Sequence, residues 1–109
     1  MSLYGEYLKE RSHDSIVEDE YGFATYRFVD EKTVYIIDIY VKPDHRKEGL
    51  AASYADDIAK VAKERGCTHM MGSIVPSMKG SHTSLLVLLA YGMKLDSCAN
   101  DFIVMKKEI

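Results

Sequence analysis

The stretch Ile39-Tyr40-Val41-Lys42-Pro43-Asp44-His45-Arg46-Lys47-Glu48-Gly49-Leu50-Ala51 has the residue types, in the right order, to hold an anion. A strand rich in Val, Ile and Tyr runs into Pro43, a polar loop follows, and a helix opens at about Leu50. The first backbone N–H groups of a helix have no intrahelical acceptor. They carry a partial positive charge, and a phosphate settles there when the backbone can come close. Gly49 has no side chain to block that approach. Ala51 is the next smallest choice, and Arg46 and Lys47 supply mobile positive charge. Taken alone, Arg-x-x-Gly-x-Ala fits a plain polar loop capped by a helix equally well. The full sequence of strand, proline, basic residues, glycine, small residue and amphipathic helix favours the anion site.

Periodicity supplies the elements that position this loop. Thr33–Val41 is apolar on both faces, which predicts a central strand covered on both sides. Apolar residues at 51, 54, 55, 58, 61 and 62 predict a helix over Leu50–Arg65, stopped by Gly66. Leu3–Arg11 reads as a short helix, followed by a break at Ser12–Ser15. Ile16–Glu18, Phe23–Val29, Cys67–Val75, Lys94–Cys98 and Phe102–Lys106 read as strands. His82–Tyr91 is a largely apolar helix with Ser81 as its N-cap and Gly92 as its end. The order is helix, three strands, helix, strand, helix, two strands. It predicts an α/β fold, an α+β mixed sheet flanked by helices, as one domain over residues 1–109. The strand-helix-strand from 34 to 75 should place its two strands in one sheet.

Composition narrows the partners. The net charge is −3 and the 14 Lys and Arg are scattered, which argues against a nucleic-acid stripe. No apolar run reaches the roughly 18 residues of a membrane span, and the N-terminus lacks a signal-peptide layout. Cys67 and Cys98 have no metal-type spacing and read as reduced, buried thiols of a cytoplasmic protein. No metal is expected. At this length a chain buries a modest share of its surface, so a homodimer is compatible with the sequence.

Val41-x-Pro43-x-x-Arg46-x-x-Gly49-x-Ala51 resembles the acyl-coenzyme A pyrophosphate loop of the GNAT superfamily of N-acetyltransferases. The resemblance covers about residues 15 to 107 and extends to the order of elements. It implies a splayed central sheet with the cofactor laid across it. The backbone of Ile39, Tyr40 and Val41 would pair with the pantetheine arm like an added strand. Amides across Arg46, Lys47, Glu48, Gly49, Leu50 and Ala51 would hold the pyrophosphate. Ser81, at the position of the family's helix-start Asn, joins this cofactor-binding set. The acyl group, most simply acetyl from acetyl-CoA, would pass to an amine attacking the thioester directly, with a strand N–H stabilising the oxyanion and alignment supplying much of the rate.

Three departures from the family pattern bear on catalysis. The positions of its usual carboxylate or histidine base hold Tyr35 and Ile37, and Asp38 between them points to the opposite face by strand alternation. The Tyr that protonates the departing thiolate is replaced by Leu88, and Tyr91 lies on a different side of the helix. Only one short helix precedes Ile16, which leaves the acceptor site open or completed by a second subunit. No catalytic residue is assigned; Tyr35, Asp38 and His82 are the candidates. Tyr26, Tyr35 and Tyr40 are eligible to line an acceptor pocket. His45 reads as phosphate-touching or merely solvated, and His13 and His69 make no metal spacing with Cys67. The function expected is an acyl-CoA-dependent N-acyltransferase. The alternatives are a domain that binds acyl-CoA without useful turnover, or a small interaction protein.

Overall fold

Strand alternation and helical period build a sheet of six strands with helices on both faces. The computed structural model describes residues 2–12, 14–46 and 48–109, without the side chains of residues 11, 12 and 82–84. The chain runs α1 (Leu3–Ser12), β1 (Ser15–Glu18), β2 (Gly22–Phe28), β3 (Thr33–Val41), a 3-10 turn (Pro43–His45) and α2 (Leu50–Glu64). It continues through β4 (His69–Ile74), α3 (Ser81–Ala90), β5 (Lys94–Ala99) and β6 (Phe102–Glu108). Within the sheet the order is β1-β2-β3-β4-β6-β5. β3 and β4 pair in parallel, as the crossover through α2 requires, and the other pairs are antiparallel.

One face of the sheet carries α2. Tyr54, Ala55, Ile58 and Ala62 of α2 pack on Ala24, Tyr26, Val34 and Ile36, and Met70, Met93 and Met105 complete the core. Val34, Ile58 and Met70 are fully buried. Side chains of this size stabilise the fold by roughly 1.5–3 kcal/mol each. α1 lies on the opposite face, where Tyr4 meets Phe23 edge-on at 5.8 Å. Because α1 is short and sits over β1 and β2, it does not cover the second half of β3. Thr33, Val34 and Ile36 are buried, whereas Asp38 and Tyr40 are exposed, so β3 is central but covered on both sides only in its first half.

Two irregularities shape the sheet around the loop. Thr25 pairs with Asp38 but Tyr26 pairs with Ile36, so β3 carries one extra residue at a β-bulge. A bulge resets alternation. Val34, Ile36, Ile39 and Val41 therefore face α2, while Tyr35, Asp38 and Tyr40 share the other face. This corrects the sequence expectation, which put Asp38 opposite Tyr35. The second irregularity is a split. β3 and β4 pair only from Thr33–Tyr35 to His69–Met71. Beyond that point β3 stays with β2 to Val41, and β4 stays with β6 to Ile74. The two central strands part, and the sheet is splayed as expected.

Other expectations change in detail. Gly80, not Ser81, caps α3; Ser81 is the first helical residue, and its hydroxyl donates instead to Pro76 O at 2.7 Å. Cys67 is buried as expected, but Cys98 is exposed on edge strand β5. Tyr26 packs in the α2-side core and cannot line an acceptor pocket.

Candidate functional site

The loop between β3 and α2 is built from local bonds. Lys42 N–H donates to Tyr21 O at 2.8 Å, and His45 N–H to Lys42 O at 2.9 Å, closing the 3-10 turn. Gly49 then caps α2 in the left-handed region at φ +81°, with no side-chain cap. The first helical bond runs from Ser53 N–H to Gly49 O at 3.0 Å. The amides of Leu50, Ala51 and Ala52 are thus left without intrahelical acceptors. No acidic residue stands in the first turn. A Cβ placed on Gly49 would meet nothing within 4 Å, so there is open space beside the helix start. A charge-bearing, uncapped, unobstructed helix start suits an anion such as a pyrophosphate.

The basic residues of the loop are arranged differently from the expectation. Arg46 is tethered to the strand end: its Nε donates to Val41 O at 3.0 Å, and its guanidinium lies 5.8 Å from the Tyr40 ring. Because Lys42 N–H is spent on β2, the preceding Val41 carbonyl faces the opposite side, along the split, and is free for Arg46. Lys47 lies outside the described residues. The Glu48 carboxylate is 3.2 Å from His45 Nδ1, and that ring packs on Tyr21 at 4.4 Å. His45 is thereby committed to its neighbours in the loop. Ile39 and Val41 lean on the core while Tyr40 is exposed on the other face, its ring 5.8 Å from Phe23. Ser81 opens α3, past the end of β4.

At the inner end of the split the structure brings together residues from β3, β4 and α3. Tyr35 pairs with Met71 at the last joined position, and its hydroxyl hydrogen-bonds the Ser73 hydroxyl, two residues into the parted region of β4. Sequence reasoning missed Ser73; its signal was one hydroxyl at an alternating position of an apolar strand. Leu88 is on the α3 side, with its methyl groups 3.5 and 3.6 Å from a Cβ built on Gly72. It has no proton to give. Tyr91 is turned away, donating to Asp56 Oδ1 at 2.7 Å, and burial with that carboxylate raises its pKa. Asp38 is exposed on the face shared with Tyr35. The side chain of His82 lies outside the described set.

The same face holds Arg27, cross-strand from Tyr35. Its guanidinium grips the buried carboxylate of Asp14 at 2.6 and 3.1 Å, and that bond holds the arginine above its usual pKa. A hollow of about 320 Å³ beside α1 is bordered by Tyr4, Glu18, Phe23 and Tyr40. Another of about 280 Å³, among Phe28, Glu31, Arg65 and Cys67, contains none of the candidate residues. Among the described residues no three His, Cys, Asp or Glu side chains could hold a metal ion. No described helix is long and apolar enough to cross a membrane.

The model of the acetyltransferase (GNAT) family matches residues 5–82. The thialysine N-epsilon-acetyltransferase of Sus scrofa is 33% identical over 51 residues, covering 43% of this chain and 30% of that protein. The Bos taurus protein of the same name is 36% identical over 39 residues, covering 36% of this chain and 23% of the relative. The chain thus matches less than a third of the length of these curated relatives. Among solved structures, PaiA N-acetyltransferase from Thermoplasma acidophilum in complex with coenzyme A superposes with a TM-score of 0.77. The identity is 13%, over 98% of this chain and 69% of that one. A GNAT family acetyltransferase from Elizabethkingia anophelis with acetyl-CoA bound gives 0.73 at 15% identity, over 98% and 82%. At such identities the two structures speak for the fold.

Proposed function

Because the chain belongs to the GNAT acetyltransferase family, we propose that it is an acyl-CoA-dependent N-acyltransferase that uses acetyl-CoA and acts on an amine. The observation that carries this reading is the uncapped start of α2 at Gly49, with open space beside it and set at the mouth of a split sheet. In this reading the loop Arg46–Ala51, with Lys47 and Glu48, receives the pyrophosphate. The pantetheine arm runs inward along Ile39, Tyr40 and Val41, with Ser81 on the far bank. From Val41 to Tyr35 the strand covers about 20 Å at ~3.3 Å per residue, a length that accommodates an extended two-amide arm. An amine attacks the thioester carbonyl from the open face of the sheet. A β3 amide freed by the bulge stabilises the oxyanion. Asp38, on that same face, takes up the proton released by nitrogen directly or through water.

The reading covers residues 1–109 as one acyl-CoA-binding domain in the cytoplasm. It includes a homodimer, supported by the exposed Leu86, Val87 and Leu89 of α3 and tested by sedimentation. Leu88 favours a second reading, a domain that holds acyl-CoA without useful turnover. Calorimetry with acetyl-CoA followed by thiol release over a panel of amines separates the two. Heat of binding with thiol release on at least one amine is expected. Binding without release on any amine moves the chain to the second reading, and no binding overturns both.

A further inference from the structure

The parted strands are bridged at one described place by side chains: the hydroxyl of Tyr35 on β3 and that of Ser73 on β4. The bond sits just beyond the last joined pair, Tyr35 with Met71, so the two oxygens close the inner end of the split. Both lie on the face away from α2. On that side Asp38 and Tyr40 are exposed and water has access. The opposite wall of the split is apolar at this depth, with Leu88 against Gly72. An arm anchored at Gly49 and laid along β3 brings its reactive end toward this point, where the two hydroxyls meet across the split; Arg27 beside them is held by Asp14. Resting on the acyltransferase reading above, we propose that Tyr35 donates the proton to the departing thiolate and that Ser73 positions and reprotonates it.

The step balances. The amine lone pair forms the C–N bond, and the C–S bond breaks with its electron pair on sulfur. Sulfur takes the Tyr35 Oη proton, and Tyr35 takes the Ser73 Oγ proton. Ser73 is reprotonated from the water-exposed face, to which the attacking nitrogen has given up its own proton. General acids contribute about 10²- to 10⁴-fold in favourable cases; a thiolate leaves readily, so a smaller share is expected here.

Three variants test the assignment, with thermal melts to establish that each is folded. Tyr35→Phe keeps the ring and should lower kcat by about 10- to 100-fold. Its acetyl-CoA affinity by calorimetry, and its KM for acetyl-CoA, should stay within about 3-fold, as expected for an interaction made only in the transition state. Ser73→Ala should lower kcat by a smaller factor, and Ser73→Thr, which restores a hydroxyl, should recover most of it. A Tyr35→Phe enzyme with wild-type kcat, or a loss that falls on KM instead, overturns this inference while leaving the acyltransferase reading standing. A wild-type protein that binds acetyl-CoA and releases no thiol overturns both.

Discussion

Replacing Gly22 by alanine tests how closely the sheet holds the end of β3 against β2. Gly22 pairs with Val41, the last residue of β3 before the loop. A Cβ built on Gly22 would lie 2.1 Å from Tyr40 O and 2.9 Å from Val41 Cα, both backbone atoms. Ordinary contact begins near 3.4 Å, so the strands must part by about 1.3 Å, the difference from 2.1 Å. That movement breaks Lys42 N–H to Tyr21 O, worth roughly 1 kcal/mol. It also loosens the Phe23–Tyr40 ring contact, worth about 0.5–1.5 kcal/mol. The stiffer unfolded chain of alanine returns about 0.4–1 kcal/mol. The net loss is about 1 kcal/mol, or roughly 4–8 °C in Tm for a domain near this size. Because the same strand end carries the Val41 carbonyl that tethers Arg46, acetyl-CoA binding should weaken as well. Scanning calorimetry and a binding titration read both effects. A Gly22→Ala protein melting within about 3 °C of wild type would refute the close approach.

Other sites give independent tests. Gly49→Ala has room but strains a φ of +81°, so it should cost about 1–2 kcal/mol of stability by denaturant melts. Gly49→Glu adds the same strain and a carboxylate in front of the α2 amides. At ~5 Å and an effective dielectric of ~20, each repelled unit charge costs about 3 kcal/mol, so acetyl-CoA affinity by calorimetry should fall at least about 100-fold. Burial and the Asp19 carboxylate push the Tyr54 hydroxyl up from 10.0 to about 12. Its stabilisation is therefore complete below 10.0 and lost as pH climbs toward about 12. Asp19 is held below 3.8, chiefly by the Tyr54 hydroxyl, so its share is present above 3.8 and lost in acid. Tyr54→Phe should lower Tm by roughly 4 °C at neutral pH and flatten the alkaline decline in a melt series. Ile58→Ala, at a fully buried position of α2, should cost about 2–5 kcal/mol in urea unfolding.

Most elements were legible because their patterns are strong over long stretches. Thr33–Val41 is a strand to the residue, and α2 starts at Leu50 and ends one residue before the expected Arg65. The uncapped start of α2 at Gly49 was legible from order alone, since a glycine placed between a polar loop and a periodic apolar stretch marks a helix start. What escaped depends on contacts between distant segments. The bulge at Ile36–Ile37 was hidden because both residues are apolar, so no polar marker betrayed the slip that moved Asp38 to the Tyr35 face. Ser81 looked like a cap, yet a left-handed Gly80 took that place and Pro76 O offered the hydroxyl a partner. The tether of Arg46 escaped because nothing local predicts that the Val41 carbonyl would be free to accept from it. Ser73 acquires meaning only once β3 and β4 part beside it.

The most direct test of the account is an NMR titration of the isotope-labelled protein with coenzyme A, following every backbone amide. The largest shifts are expected at Gly49, Leu50 and Ala51, with smaller ones running along Ile39 to Val41. Saturable binding that leaves the Gly49–Ala51 amides unmoved, with shifts gathered elsewhere on the sheet, would contradict it.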